Sequence, residues 1–247
     1  MTIHLQMLGT GSAFGKKYYN TNALIHANGF SFMIDCGVTA PLSLHALNKP
    51  IGEIDALLIT HLHADHIGGM EEFAFAMKYK YNKKPPLYLA ETLVNPLWEH
   101  SLRGGLEHNI NQVETLSSYF DVRIVEEGKP FQVCDGLQIE IKRTVHIPSK
   151  PSYSLFINDT TFYSADVIFD PDLIRYVSEE RQCTRIIHEC QLKPPYPVHT
   201  GLEQLLKLPE SIQEKIWLMH YDDDMEDYVG RTGKMTFMRQ HVVYDLE

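Results

Sequence analysis

Apolar positions in the first sixty residues fall into short runs, Ile3 to Leu8, Thr21 to Ala27, Phe30 to Ile34 and Ala56 to Thr60. Each has the length and composition of a strand. Turn chemistry separates them in GTGSAFG, Asn28-Gly29 and Pro50-Ile51-Gly52. This pattern predicts a meander rather than a strand–helix–strand opening. Helical spacing predicts helices over Gly69 to Tyr81, Leu93 to Leu102 and Asp172 to Arg181, the last entered through Pro171. Strands return from Val122 to Ile157 in VRIVE, FQVC, LQIEIKRTVHI and YSLFI, and SYSLFI is expected to pair with TTFYSA across Asn158-Asp159. The second half therefore echoes the first. TRIIHE, GLEQLLKL and KIWLMH then alternate as strand, helix and strand, the pattern of helices laid on a sheet face. No low-complexity tract, short repeat or linker divides the chain, so one α/β domain over residues 1–247, with two sheets and outer helices, is the expectation.

Polar residues break the pattern most sharply directly after the strand ALLIT. There His61, His63, Asp65 and His66 fall within six residues as HxHxDH. On an extended backbone the two-residue period turns His61 and His63 to one side, where both can bind one ion. Asp65 and His66 sit at the turn and can face a second ion. Gly68 and Gly69 allow close backbone approach around so crowded a loop. Imidazoles and a carboxylate packed at a strand end are costly unless a metal or other partner satisfies them. Further ligands are expected where later apolar runs end. His146 after LQIEIKRTV, Asp166 after TTFYSA and His220 after KIWLM each hold that place, where an α/β sheet gathers its site. Asp166 is suited to bridge both ions.

Composition narrows the classes. In 247 residues, 44% are hydrophobic, and 22 Lys plus Arg stand against 32 Asp plus Glu for a formal charge of −10. That balance argues against a broad surface for extended nucleic acid and leaves a compact anionic substrate open. No run approaches the roughly 18 apolar residues of a membrane span, and the start MTIHLQMLGTGS lacks a signal-peptide pattern. A cytoplasmic protein with no membrane partner is expected. Cys36, Cys134, Cys183 and Cys190 form no CxxC pair, so reduced thiols are the default. GTGSAFG is neither GxGxxG before a helix nor GxxxxGK[ST], and reads as a turn shaping a site wall.

The order HLHADH, His146, Asp166, His220 resembles the metallo-β-lactamase superfamily, and LGTGSAFG resembles its tRNase Z-like phosphodiesterase branch. The likeness covers nearly the whole chain. It implies an αββα sandwich, two mixed β-sheets flanked by helices. It implies two Zn2+ per chain, with Mn2+ the alternative: His61, His63 and His146 on one, Asp65, His66 and His220 on the other, Asp166 between. Ile187-His188-Glu189-Cys190 resembles the branch's HEAT motif, with Cys190 in place of the small residue. Val198-His199-Thr200 resembles its HST loop without the Ser. No long Gly/Pro-rich insertion lies between Ala90 and His146 to form a tRNA-gripping arm, and residues 1–35 lack the cysteine of the phosphonate-pathway relative.

What remains similar is the group of compact cyclic-nucleotide phosphodiesterases that includes the anti-Pycsar enzymes. The resemblance implies a homodimer that hydrolyses 3′,5′-cyclic nucleotides, cCMP and cUMP as well as cAMP and cGMP, to 5′-mononucleotides by a hydroxide shared between the ions, countering antiphage signalling. Asp65 is then expected to orient that hydroxide or accept its proton. His188, held by Glu189, is expected to stabilise the phosphate or protonate the leaving 3′ oxygen. His199 and Thr200 are placed on the substrate rim. The rival readings are a tRNase Z-like RNA 3′-end endonuclease, a lactonase or β-lactamase, and a non-catalytic cyclic-nucleotide sponge or regulator.

Overall fold

The computed structural model describes residues 3–108 and 113–246. Fourteen strands run in chain order as β1 (Ile3–Gly9), β2 (Asn22–Ala27), β3 (Phe30–Ile34), β4 (Ala56–Leu58), β5 (Pro86–Ala90), β6 (Asp121–Val125) and β7 (Phe131–Cys134), then β8 (Leu137–Thr144), β9 (Ser152–Ile157), β10 (Thr161–Tyr163), β11 (Arg185–Glu189), β12 (Ile216–Met219), β13 (Thr236–Phe237) and β14 (Val243–Asp245) among the described residues. They form two seven-stranded sheets, in the orders β14-β1-β2-β3-β4-β5-β6 and β13-β12-β11-β10-β9-β8-β7.

The two sheets share one plan. In the first, β14, β1, β2 and β3 pair antiparallel, and β3 to β6 pair parallel. In the second, β7 to β10 pair antiparallel, and β10 to β13 pair parallel. The expected hairpin of β9 with β10 forms, with Phe156 opposite Phe162. The opening is only partly a meander. β3 runs parallel to β4 because α1 (Ala40–Ala46) crosses between them, started by Pro41 in its first turn. β5 opens directly after Pro85. Pro86 is its first residue, a place where the missing N–H is tolerated.

Helices cover both outer faces, as the αββα expectation requires. α2 (Ala64–Ile67) and α3 (Met70–Phe75) follow β4, and α3 continues through the wider-turned Ala76–Lys80. α4 (Glu91–Leu97) and α5 (Arg103–Leu106) follow β5. α6 (Pro171–Arg175), α7 (Leu202–Leu205) and α8 (Glu210–Gln213) flank the second sheet. Asp170 caps α6 by accepting from the Asp172 and Leu173 amides. Leu5, Leu24 and Phe32 of the first sheet join Leu155, Ile187 and Met219 of the second in one buried cluster. Phe162, Ile186 and Leu218 lie in another, with Leu173 and Val177, Leu205 and Ile212 from the outer helices. No helix of the described residues is long and apolar enough to cross a membrane.

Leu155 is fully buried in the cluster joining the sheets. Leu155→Ala should lower the unfolding free energy by about 2–5 kcal/mol in urea denaturation. A loss below about 1 kcal/mol would contradict a close-packed junction between the sheets.

Candidate metal centre

Strand ends meet at the point in each sheet where antiparallel pairing gives way to parallel, the place where α/β sheets gather ligands. From the first sheet come Asp35 after β3 and the segment 61–66 after β4. From the second come His146 after β8, Asp166 after β10, Glu189 ending β11 and His220 after β12. His220 adopts φ +58°, a left-handed turn that ends the strand.

The HxHxDH loop is clamped by its neighbour. The Cys36 amide donates to the His66 carbonyl, the Val38 amide to that of Ala64, and the Gly69 amide to that of Cys36. Asn22 Nδ2 donates to the Asp65 carbonyl. A Cβ on Gly37 would stand 1.7 Å from that same carbonyl oxygen, so only glycine lets the two segments approach this closely.

Two donor sets share Asp166: His61, His63, His146 and Asp166, then Asp65, His66, Asp166 and His220; His146, Glu189 and His199 form a third group beside them. His63 Nδ1 lies 3.2 Å from His61 Nε2 and 3.1 Å from His146 Nε2. Nitrogens bound at 2.0–2.1 Å around a tetrahedral zinc stand roughly 3.3 Å apart, so this spacing suits one ion. In the other set Asp65 Oδ2 is 3.3 Å from His66 Nε2 and 3.4 Å from His220 Nε2, and Asp166 Oδ1 is 3.3 Å from His66 Nε2.

The far ring nitrogens fix which lone pairs face inward. His66 Nδ1 lies 2.7 Å from Asp35 Oδ2, and His146 Nδ1 lies 2.7 Å from the Val198 carbonyl oxygen. An N–H donated outward leaves Nε2 with a lone pair toward the cluster. His66 Nε2 and Asp166 Oδ1 are both buried and have no hydrogen-bond partner. A cation bound between them would satisfy both atoms. The residues therefore fit a pair of metal ions. Burial also pushes the pKa of His61 and His63 down and that of His146 to about 4, which keeps these rings neutral as metal binding requires. Burial opposes ionisation of Asp166 as well, but His220 and His66 outweigh it and hold the carboxyl well below its usual range.

A further pair stands beside the centre. Glu189 is fully buried and accepts from the Val167 amide, and its Oε2 lies 2.9 Å from His199 Nδ1. The His199 ring centroid is 4.8 Å from that of His146 and 5.0 Å from that of His220.

Residues 3–244 match the family described as "Anti-Pycsar protein Apyc1". The chain belongs to the anti-Pycsar Apyc1 family. A protein of that name from Paenibacillus sp. (strain J14) is 54% identical over 246 residues, covering 100% of both chains. One from Bacillus phage vB_BsuM-Goe3 is 40% identical over 253 residues, covering 97% of this chain and 96% of its own. Among solved structures, the metallo-β-lactamase fold protein YhfI from Bacillus subtilis superposes with a TM-score of 0.77 at 17% identity, covering 99% of this chain and 100% of its own. A diphosphatase from the PhnP family gives 0.73 at 19% identity, covering 99% and 98%. These likenesses show that this Apyc1 family member has a metallo-β-lactamase fold.

Two expectations of the sequence need correction. His188 does not join the cluster. Ile186 lies under the outer helices and Ile187 between the sheets, so strand alternation turns His188 outward and Glu189 inward. His188 Nδ1 instead faces the Glu189 carbonyl at 2.8 Å, and burial pushes its pKa to about 4. Thr200 is not on a rim either, because it is buried and its hydroxyl donates to the Val167 carbonyl. Glu189, by contrast, pairs with His199 rather than His188.

Sequence reasoning missed Asp35. Fully buried at φ +60°, it accepts from the Thr60 amide and hydroxyl as well as from His66. It ties the end of β3 to the HxHxDH loop of this Apyc1 family member. Asp35→Asn should weaken metal affinity about 10- to 100-fold in chelator competition, with the circular dichroism spectrum retained. Unchanged affinity would show that Asp35 only braces the loop.

Proposed function

We propose that this chain is a dizinc phosphodiesterase that opens 3′,5′-cyclic nucleotides to 5′-mononucleotides, acting in the cytoplasm as a homodimer against cyclic-nucleotide antiphage signalling. The observation that carries the reading is the pair of donor sets sharing Asp166 beside the Glu189–His199 pair. The family name and the phage proteins within it support the signalling role. His61, His63 and His146 would hold one ion, Asp65, His66 and His220 the other, and Asp166 both. Imidazole and carboxylate donors suit zinc, with Mn2+ the alternative. Ions bound there supply an activated water nucleophile near neutral pH and positive charge against the phosphoryl oxygens.

The chain's own residues supply the rest. Burial works against an ionised Asp65, but His66 and His220 hold its pKa far below the usual range. It therefore remains a carboxylate that can accept a hydrogen bond from the attacking water and orient it. Glu189 fixes the His199 ring by accepting a hydrogen bond from Nδ1. The other ring nitrogen then gives its proton to the 3′ oxygen as the bond from phosphorus to that oxygen breaks.

Zinc-loaded protein given 3′,5′-cyclic mononucleotides, cyclic dinucleotides and a precursor tRNA should release 5′-mononucleotide from the first group. Cleavage of the tRNA alone would overturn the proposal. His199→Ala should lower kcat for cyclic nucleotides about 100- to 10,000-fold with zinc content unchanged. It should cost less with bis(p-nitrophenyl) phosphate, whose leaving group departs without a proton. His188→Ala should keep most of the activity, and an equal loss in both variants would remove the assignment to His199.

A further inference from the structure

Two cavities open from the metal centre. One, of about 380 Å3, is reached past His61, His63 and His146. The other, of about 360 Å3, is reached past His199 and His220. In a cyclic nucleotide the leaving 3′ oxygen is part of the ribose, so the sugar must lie on the side from which that oxygen is protonated. His199 borders the second cavity. This step rests on the reading of His199 as the proton donor.

The far wall of that cavity is the loop 12–17. Phe14 stands at its tip with 87% of its surface exposed. Leaving a phenylalanine uncovered forgoes a large hydrophobic gain, so its position at a cavity mouth marks a surface awaiting an apolar face. The loop is rigid. The Gly15 amide closes a tight turn onto the Ser12 carbonyl, the Ser12 amide donates to the Tyr221 carbonyl, and the Ser12 hydroxyl donates to Asp222. Asp223 accepts from the Lys16 and Lys17 amides. Phe14 is thus presented by a braced turn. Opposite it the wall is formed by Pro195 and Pro197. Two polar groups of the wall are partly engaged, because Gln191 Nε2 donates to the Lys193 and Pro195 carbonyls and one oxygen of Asp222 accepts from Ser12.

We infer that Phe14 is the stacking platform for the nucleobase, and that this cavity accepts the base by its flat face rather than by its hydrogen-bonding edge. Stacking is available to every base, because each has a π-face. The site is accordingly tolerant of pyrimidines and purines.

The inference can be tested by calorimetry on the zinc-loaded protein with CMP, GMP and ribose 5-phosphate, together with turnover of cCMP and cGMP. Wild-type protein should bind both nucleotides more tightly than ribose 5-phosphate. Phe14→Ala should lower CMP and GMP affinity about 10-fold, leave ribose 5-phosphate unchanged, and raise KM for both cyclic nucleotides more than it lowers kcat. Phe14→Trp should restore binding. Unchanged nucleotide affinity in Phe14→Ala, with wild-type turnover intact, would overturn the stacking role alone. So would a fall in molar mass by light scattering, which would place Phe14 in a contact between two copies. Wild-type protein that turns over no cyclic nucleotide would overturn the proposed function itself, and this inference with it.

Discussion

Asp166 is a carboxylate almost wholly removed from water, surrounded by imidazoles rather than by lysine or arginine. Desolvating such a group costs several kcal/mol unless positive charge compensates it. His220 and His66 supply part of that compensation and hold the carboxyl low, while His66 and His146 turn their Nδ1 atoms outward, to Asp35 and to the Val198 carbonyl. Cations bound among the donors would supply the rest. The rest of the fold serves this constraint. Two sheets of matching topology bring their switch points together, so that ligands from both halves of the chain converge on one carboxylate.

The donors were legible because each kind of signal was local. HxHxDH packs four of them into one turn, and His146, Asp166 and His220 each follow an apolar run that could only be a strand. Strand, hairpin and layer architecture followed from the same runs. Asp35 left no such signal. It comes one residue after β3 in IDCG, and nothing in the sequence separates a brace for His66 from a turn residue. Its role depends on β3 and β4 lying side by side in parallel, which in turn depends on α1, a short helix with little periodicity to read.

The placing of His188 away from the donors, against expectation, has a physical cause. β11 is buried along four of its five residues, so its sequence carries no alternation from which to read which side chains face the site. Only the neighbouring clusters settle the phase, with Ile187 between the sheets and Ile186 beneath the outer helices. The HEAT-like segment thus contributes its Glu and not its His. The partner imidazole arrives from the loop that also carries Thr200, whose own hydroxyl is spent on holding that loop to Val167.

Charge and cavity shape bear on the same question of substrate. The formal charge of −10 repels a long polyanion, while ions held by the donor sets would make the pocket itself attractive to a compact anion. The two cavities are each of a size suited to part of one nucleotide, and among the described residues Lys150 is the one lysine or arginine that lines either of them. Under the proposed function, recognition would be concentrated on the phosphate and sugar, close to the donors. At the Phe14 wall Gln191 Nε2 and one oxygen of Asp222 already bind the main chain or Ser12, so a base edge that used those atoms would first have to break bonds that hold the loops. A site built in this way discriminates by size and charge before it discriminates by base.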